Sequence, residues 1–373
     1  MVTWPRYEQA MTKPMRLTDF QRLPPTMRVY AVDGLASAID TAAEQADKTH
    51  QFLRYQWYAA ALGAYGGQAR TIIAEQNGAP IAALPMISFG PRALRLASVP
   101  GCYWPFRSFP VMANAGAADF AALARGLARE VNALRIGPVY DNDYAAQGLI
   151  RAARASGWAV LDRFIADSYL LDMAAERGQG TWPRNSTLRK NRFHEKHLAE
   201  HGALDWRFLD GAALAAGGFD LLGAVEEKSW VAAQTDGGDV KFTTAGHGAF
   251  WRLAALDPAI AAMFHAAVLS VNGIPAAFSF DINAGVLKYG IANSYDPALG
   301  KHSPGRLLHY RNLAAALDDG ITHVDWGAGD SGYKRLIGAT RGPAIRDWLL
   351  VRPGMYALAA RPLRGLWARS SQG

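Results

Sequence analysis

Cysteine is almost absent: Cys102 is the only one in 373 residues. That excludes an intramolecular disulfide, a cysteine-rich zinc site and an iron–sulfur cluster, and it suits a reducing compartment. Long hydrophobic runs are missing too. No segment approaches the roughly 18 uncharged apolar residues of a membrane span. The first residues, Met1-Val2-Thr3-Trp4-Pro5-Arg6-Tyr7-Glu8, hold no apolar core of signal-peptide length, so the expected location is the cytoplasm. Charged residues make up only 19% of the chain against 50% hydrophobic, the reverse of the balance that keeps a chain disordered. No Gly-x-Ser-x-Gly elbow occurs. Cys102, between Gly101 and Tyr103-Trp104, has no histidine partner in sequence, which argues against chemistry through a hydrolytic nucleophile.

The length exceeds one ordinary domain and allows two adjoining cores. The net charge of +7 comes mostly from scattered arginines. Its densest run, Arg184 to His201, lacks the regular aromatic interleaving of a stacking platform, so nucleic acid is not expected as the main partner. His194, His197 and His201 share one face of that predicted helix, but the surrounding Lys and Arg disfavour a cation, and no metal is expected.

What the chain does have is a weak internal repeat, which bears on architecture before any motif is read. Arg70 to Ala83 and Val268 to Phe280 both read as β-hairpins turning at Asn-Gly, each continuing as Asn-Gly-x-Pro-x-Ala. A helical stretch with an aromatic landmark precedes each: Phe52-Leu53-Arg54-Tyr55-Gln56-Trp57, then Val225-Glu226-Glu227-Lys228-Ser229-Trp230. After each comes a helix, a strand and a glycine-containing turn, at Phe120 to Pro138 and at Leu307 to Gly327. Closing segments follow at Arg163 to Met173 and Ile345 to Val351. The pattern predicts a mixed α/β (α+β) fold of two tandem units, each a largely antiparallel sheet flanked by helices. We divide the chain into an N-terminal extension (1–25), a first unit (26–175), a second unit (176–355) and a basic tail (356–373). The tail mixes leucines with Arg361, Arg364 and Arg369, as a peripheral membrane contact would, but Pro362 interrupts it and predicts a frayed end.

The stretch richest in reactive side chains runs from Leu287 to Lys334. A strand, Leu287 to Asp296, leads through a loop into a helix opening at Ser303-Pro304-Gly305-Arg306, with Ser303 as expected N-cap and Pro304 in the first turn. Small residues at a helix N-terminus, with Lys301 and Arg306 adding positive charge, suit a diphosphate. The next strand ends in Asp325-Trp326-Gly327-Ala328-Gly329-Asp330-Ser331-Gly332-Tyr333-Lys334. Its Gly-x-Gly-x-x-Gly lies too near the chain end for the successive βα units of a dinucleotide domain. It offers instead two carboxylates, a phenol and an ammonium. Acyl transfer needs a base, oxyanion donors and an acid for the departing thiolate, and those residue types are present here. Asp325, Asp330 or a water could be the base; a strand-end cap and a turn residue are the plainer readings of the two aspartates.

Ser186-Thr187-Leu188-Arg189-Lys190-Asn191-Arg192, Glu227-Lys228-Ser229-Trp230, the Asn272-Gly273 hairpin, Ser294-Tyr295-Asp296-Pro297, Ser303-Pro304-Gly305-Arg306 and the Asp325 to Lys334 segment together resemble the CelD/BcsL-type members of the GNAT acetyltransferase superfamily, relatives of the FemABX peptidoglycan transferases. The resemblance implies a double GNAT fold with the donor, acetyl-CoA or another acyl-CoA, in the second unit and the first unit as scaffold and acceptor wall. It implies a diphosphate site at Lys301, His302, Ser303, Pro304, Gly305 and Arg306, although the usual Arg/Gln-x-x-Gly-x-Gly/Ala loop is reduced here to Lys-His-Ser-Pro-Gly-Arg. Tyr333 would protonate the thiolate, and Lys190, Glu227, Trp230, Tyr289 and Lys334 would meet the substrate. The implied activity is acyl transfer to an amine or hydroxyl, on a small-molecule or saccharide acceptor such as an exopolysaccharide or cell-envelope precursor. The alternatives are an aminoacyl-tRNA donor, as FemABX relatives use, and a non-catalytic scaffold.

Overall fold

The computed structural model describes residues 26–180, 182–229, 232, 240–243, 246–330 and 332–370. Its strands are β1 (Met27–Asp33), β2 (Ala69–Gln76), β3 (Ala79–Ser88), β4 (Leu96–Ser98), β5 (Ala133–Tyr140), β6 (Ala159–Asp172), β7 (Leu204–Leu209), β8 (Phe264–Val271), β9 (Ile274–Ala284), β10 (Leu287–Tyr295), β11 (His323–Ala328) and β12 (Thr340–Val351). Both Asn-Gly pairs make the predicted turns. Asn77 and Gly78 have φ of 53° and 81°, Asn272 and Gly273 of 49° and 77°. Two successive left-handed residues give the two-residue turn whose twist matches an antiparallel pair.

All twelve strands form one sheet, in the order β1-β2-β3-β4-β5-β12-β6-β11-β10-β9-β8-β7. Read inward from either edge, three antiparallel steps are followed by one parallel pair, β4 with β5 on one side and β10 with β11 on the other. The two closing strands are exchanged. β12, from the end of the chain, pairs with β5 of the first half, and β6, from the first half, pairs with β11 of the second; β6 and β12 pair with each other at the centre. The fold is thus mixed α/β with a large, mostly antiparallel sheet, as the repeat predicted.

Helices cover the sheet: α1 (Ala38–Glu44), α2 (Tyr55–Tyr65), α3 (Ala117–Glu130), α4 (Tyr144–Ala155), α5 (Asn185–Leu198), α6 (Phe219–Glu226), α7 (Gly248–Ala254), α8 (Pro304–Asp318), α9 (Tyr333–Ile337), α10 (Met355–Ala360) and α11 (Arg364–Arg369). The largest core is continuous across the halves. Trp57 of the first meets Phe250 of the second with ring centroids 4.8 Å apart, and Phe106 meets Tyr289 at 4.9 Å. Such aromatic pairs add to their area burial.

The tail departs from the frayed end that Pro362 predicted. It folds back as α10 and α11, where Arg163 of β6 stacks on Trp367 at 4.8 Å and donates to the Ser370 carbonyl at 2.9 Å. Leu358, Leu363 and Leu366 stay exposed. No helix among the described residues is long and apolar enough to cross a membrane.

Candidate active site

β10 and β11 pair in parallel only from Leu287–Tyr289 against His323–Asp325. A bulge then breaks the register of β10 between Gly290 and Ala292, and the strands part. The opening leads to a cleft of about 310 Å³ lined by Asn293, Tyr295, Ser303, Arg306, His309 and Tyr333 among others. The equivalent split in the first half is closed by its own chain. Beyond β4, the Val99 and Arg107 amides bond to the Arg135 and Pro138 carbonyls of β5, and the Phe106 segment bridges to Val139. Cys102, Phe106 and Phe109 of this segment are buried. One split of the pair is therefore filled and the other open.

The loop between β10 and α8 is held by Asp296, whose carboxylate accepts the Ala298 amide at 2.9 Å. Ser303 departs from its expected role. It sits at φ 53°, ψ 47° and its side chain makes no capping bond. Ser303 therefore supplies no side-chain acceptor to the first-turn amides of α8. Gly305 allows the close packing of Tyr295, whose Cδ1 would lie 3.1 Å from a Cβ at that position. The charge of Arg306, with Lys190 from α5, is felt at His194, whose pKa is lowered first by burial and then by these neighbours. Of the residues expected at the donor site, Ser303, Gly305 and Arg306 line the cleft. Lys301 is exposed and Pro304 is buried. His302 Nε2 lies 2.9 Å from His201 Nε2, which ties the loop to the end of α5. Among the described residues no group of three or more His, Cys, Asp or Glu could hold a metal ion.

α8 is fixed against the sheet by a buried polar set. Asn312 donates to Asp281 at 2.7 Å and to Ser279 at 3.1 Å, while Lys288 pairs with Asp281 at 3.0 Å. One helical turn nearer the cleft lies His309, 6% exposed, with neither ring nitrogen hydrogen-bonded among the described residues. Burial lowers its pKa to about 4, so the imidazole is neutral near pH 7. Its ring lies 5.3 Å from Trp326 and 5.8 Å from Tyr333. Sequence reasoning missed it, although Arg306, His309 and Tyr310 have the i, i+3, i+4 spacing of a single helix face.

Tyr333 opens α9, and its phenol oxygen accepts from Asn293 Nδ2 at 2.9 Å across the split. Asp325 lies on the strand pair itself, opposite Tyr289. It is 4% exposed. Burial raises its pKa to about 6, against the pull of the Gly327 amide, the Tyr140 phenol and the Lys334 ammonium. The Gly327 amide reaches Oδ1 at 2.7 Å. Gly327 has φ 59°, and a Cβ there would meet Trp104 Cζ2 at 2.4 Å, so only glycine admits this indole of the first half.

The other expected site residues are placed differently. Asp330 accepts the Gly332 amide at 2.8 Å and pairs with Arg335 at 2.7 Å, as a turn residue does. Lys334 donates to the carbonyls of Trp326, Ala328 and Gly329 at 2.9, 3.1 and 2.6 Å, so its ammonium braces the strand-end loop. Burial lowers its pKa to about 8. Lys190 and Glu227 are exposed, and Trp230 lies outside the described residues.

Tyr289 and Asp325 line a second cleft, of about 510 Å³, together with His50, Tyr140 and Asp143 of the first half. There Asp143 accepts from Ser108 at 2.8 Å and pairs with His50 Nε2 at 3.2 Å. Burial would raise the Asp143 pKa, but His50 and the Ala146 amide outweigh it and hold the carboxyl below its usual range. No sequence cue marks this pair, whose members lie far apart in the chain.

Residues 185–335 match the model of the acetyltransferase (GNAT) domain family. A search of curated proteins finds no match. Among solved structures, FemX is similar over 90% of this chain and 100% of its own, at 11% identity and TM-score 0.55. A conserved protein of unknown function from Bacteroides thetaiotaomicron is similar over 87% of this chain and 100% of its own, at 13% identity and TM-score 0.53. The C-terminal (DUF2156) domain of a protein described as a lysylphosphatidylglycerol synthetase, from Agrobacterium fabrum, is similar over 87% of this chain and 93% of its own, at 16% identity and TM-score 0.51. At these identities the likeness is one of fold. The domain match spans the open split, α8 and Tyr333.

Proposed function

We propose that the protein is an acyl-CoA-dependent N-acyltransferase, with the donor in the open split between β10 and β11 and a sugar or cell-envelope amine as acceptor. One observation carries the reading: an uncapped helix start with Arg306, the Tyr333 phenol and the buried Asp325 all border the split parallel pair. The amides of α8 and Arg306 bind the donor's diphosphate. Asp325, ionised above about pH 6, takes a proton from the acceptor amine. The nitrogen attacks the thioester carbonyl, and Tyr333 protonates the leaving thiolate. His309 offers its unpaired nitrogens to the bound donor. The two halves form a single unit around this site, the first walling the acceptor side.

Acetyl-CoA or a longer acyl-CoA should raise the melting temperature of the full chain, by mass action on the folded state. Arg306→Ala should raise KM for the donor about ten- to a hundredfold, the loss of a charge-assisted hydrogen bond, with kcat within about twofold. A flat thermal response across free and acylated coenzyme A would sink the reading. The exposed Arg189, Lys190 and Arg192 of α5, beside the donor loop, favour aminoacyl-tRNA as the second donor class. That donor would show a KM rising steeply with salt; an acyl-CoA response without it retains the first reading.

A further inference from the structure

The second cleft has an electrostatic character opposite to that of the chain. The protein carries a net charge of +7. Yet among the described residues lining this cleft there is no lysine or arginine, while three carboxylates, Asp47, Asp143 and Asp325, are present. The walls come from both halves, with Tyr289 and Asp325 facing Asp47, His50, Tyr140 and Asp143.

An acidic cluster alone would say little. Here, however, the Tyr140 side chain is 6% exposed, and its hydroxyl, near enough to Asp325 to lower that carboxyl's pKa, meets no partner among the described residues at hydrogen-bond geometry. A buried hydroxyl without a partner carries a desolvation cost that a bound polar group would relieve. The three tyrosines Tyr140, Tyr144 and Tyr289 add ring faces and edges suited to the apolar side of a small molecule or to an ammonium. His50 is committed to Asp143 at 3.2 Å and to Thr49 Oγ1 at 2.9 Å, so it offers an incoming anion no free charge.

We infer that this cleft is the acceptor site and that its acceptor is a cationic primary amine bearing no phosphate, such as a free amino sugar, and not a nucleotide-linked precursor or a phospholipid. The inference rests on the acyl-transfer reading and narrows it. A phosphate or diphosphate here would face Asp47 and Asp325 with no lysine or arginine among the described lining residues and with His50 and His323 each already beside a carboxylate, Asp143 and Asp172, and like charges brought together at a binding site are strongly rejected. An ammonium is attracted, and gives one proton to Asp325 as it becomes the nucleophile. The C–N bond forms as the C–S bond of the thioester breaks, the thiolate takes the proton of Tyr333, and the second amine proton passes through water to restore Tyr333. The products are the amide, free thiol and one released proton.

The test uses matched acceptors with the full chain, reading free thiol released from acetyl-CoA and confirming the amide by mass spectrometry. The pairs are glucosamine with glucosamine 6-phosphate and ethanolamine with phosphoethanolamine. The unphosphorylated member should have at least a tenfold higher kcat/KM. Val286, 55% exposed on the rim, gives a variant that should not disturb folding. Val286→Arg should lower acceptor kcat/KM about tenfold and Val286→Glu should not, with the melting-temperature response to acetyl-CoA unchanged in both. Equal or better use of the phosphorylated members, an Arg variant as active as the Glu variant, or no acylation of any amine while acetyl-CoA still raises the melting temperature, would each overturn the acceptor class and leave the donor reading standing. No response to any acyl-CoA would remove the donor reading itself.

Discussion

Asp325→Asn is expected to lower thiol release by about 10²–10⁴-fold, the usual contribution of a positioned general base, while the melting-temperature rise with acyl-CoA is retained. The carboxylate lies on β11 opposite Tyr289, at the last paired position before the strands part. Its pKa of about 6, raised by burial, gives the expected pH profile. A base works only when deprotonated, so the wild-type rate should climb as pH rises through about 6 and level off above it; the asparagine variant should lack that limb.

Stability should move the other way. A carboxyl whose folded pKa lies above its unfolded value of 3.8 favours the protonated form in the fold. Its ionisation therefore costs stability above about pH 6, and the cost fades as pH falls towards 4. Asp325→Asn should accordingly melt no lower than wild type at pH 7.5. A slow but stable variant separates catalysis from scaffolding. Asp330→Asn, at a carboxylate already bound to Arg335 and the Gly332 amide, should change the rate less than threefold. A rate within threefold of wild type for Asp325→Asn would remove that residue from the mechanism.

Local signals in the chain predicted what local physics controls. Asn77-Gly78 and Asn272-Gly273 demanded positive φ, and the hairpins they made fixed four neighbouring strands, β2 with β3 and β8 with β9. Pro304 marked the start of α8, and Gly327, Gly329 and Gly332 marked a turn, in which all three take positive φ. Non-local choices were not legible. Each closing strand stands in its own half of the repeat, and only the competition for hydrogen-bonding edges assigns β6 to β11 and β12 to β5. Ser303 had the composition of an N-cap, but the tight turn from Pro297 to His302 delivers the chain in the left-handed region, where the hydroxyl does not cap. Lys334 looked like a free ammonium until three carbonyls of the β11 loop were found around it. His309 carries no signal beyond its spacing, because its importance comes from being buried beside a split that the first half fills with Phe106.

The exchange of β6 and β12 makes a second strong prediction. Asp347, in the middle of β12, is fully buried. It accepts from Arg135 of β5 at 2.7 Å on one side and from Arg163 of β6 on the other. One carboxylate thus joins three adjacent strands where the halves merge. Gly137 makes room for it: φ is 122°, and a Cβ there would lie 2.8 Å from Asp347 Oδ1. Asp347→Ala leaves two guanidinium groups facing each other, with Arg163 only 4% exposed. Removing one partner from such a buried set costs about 3–5 kcal/mol, enough to shift the urea midpoint by one molar or more at an m-value of about 1–3 kcal/mol/M. Because the exchanged strands and the shared aromatic core bind both halves, tryptophan fluorescence and circular dichroism should report one coincident transition in wild type and variant alike. A loss below about 1 kcal/mol would show that the arginines relax into solvent, and two separated transitions in the wild type would show that strand exchange does not make the halves one cooperative unit.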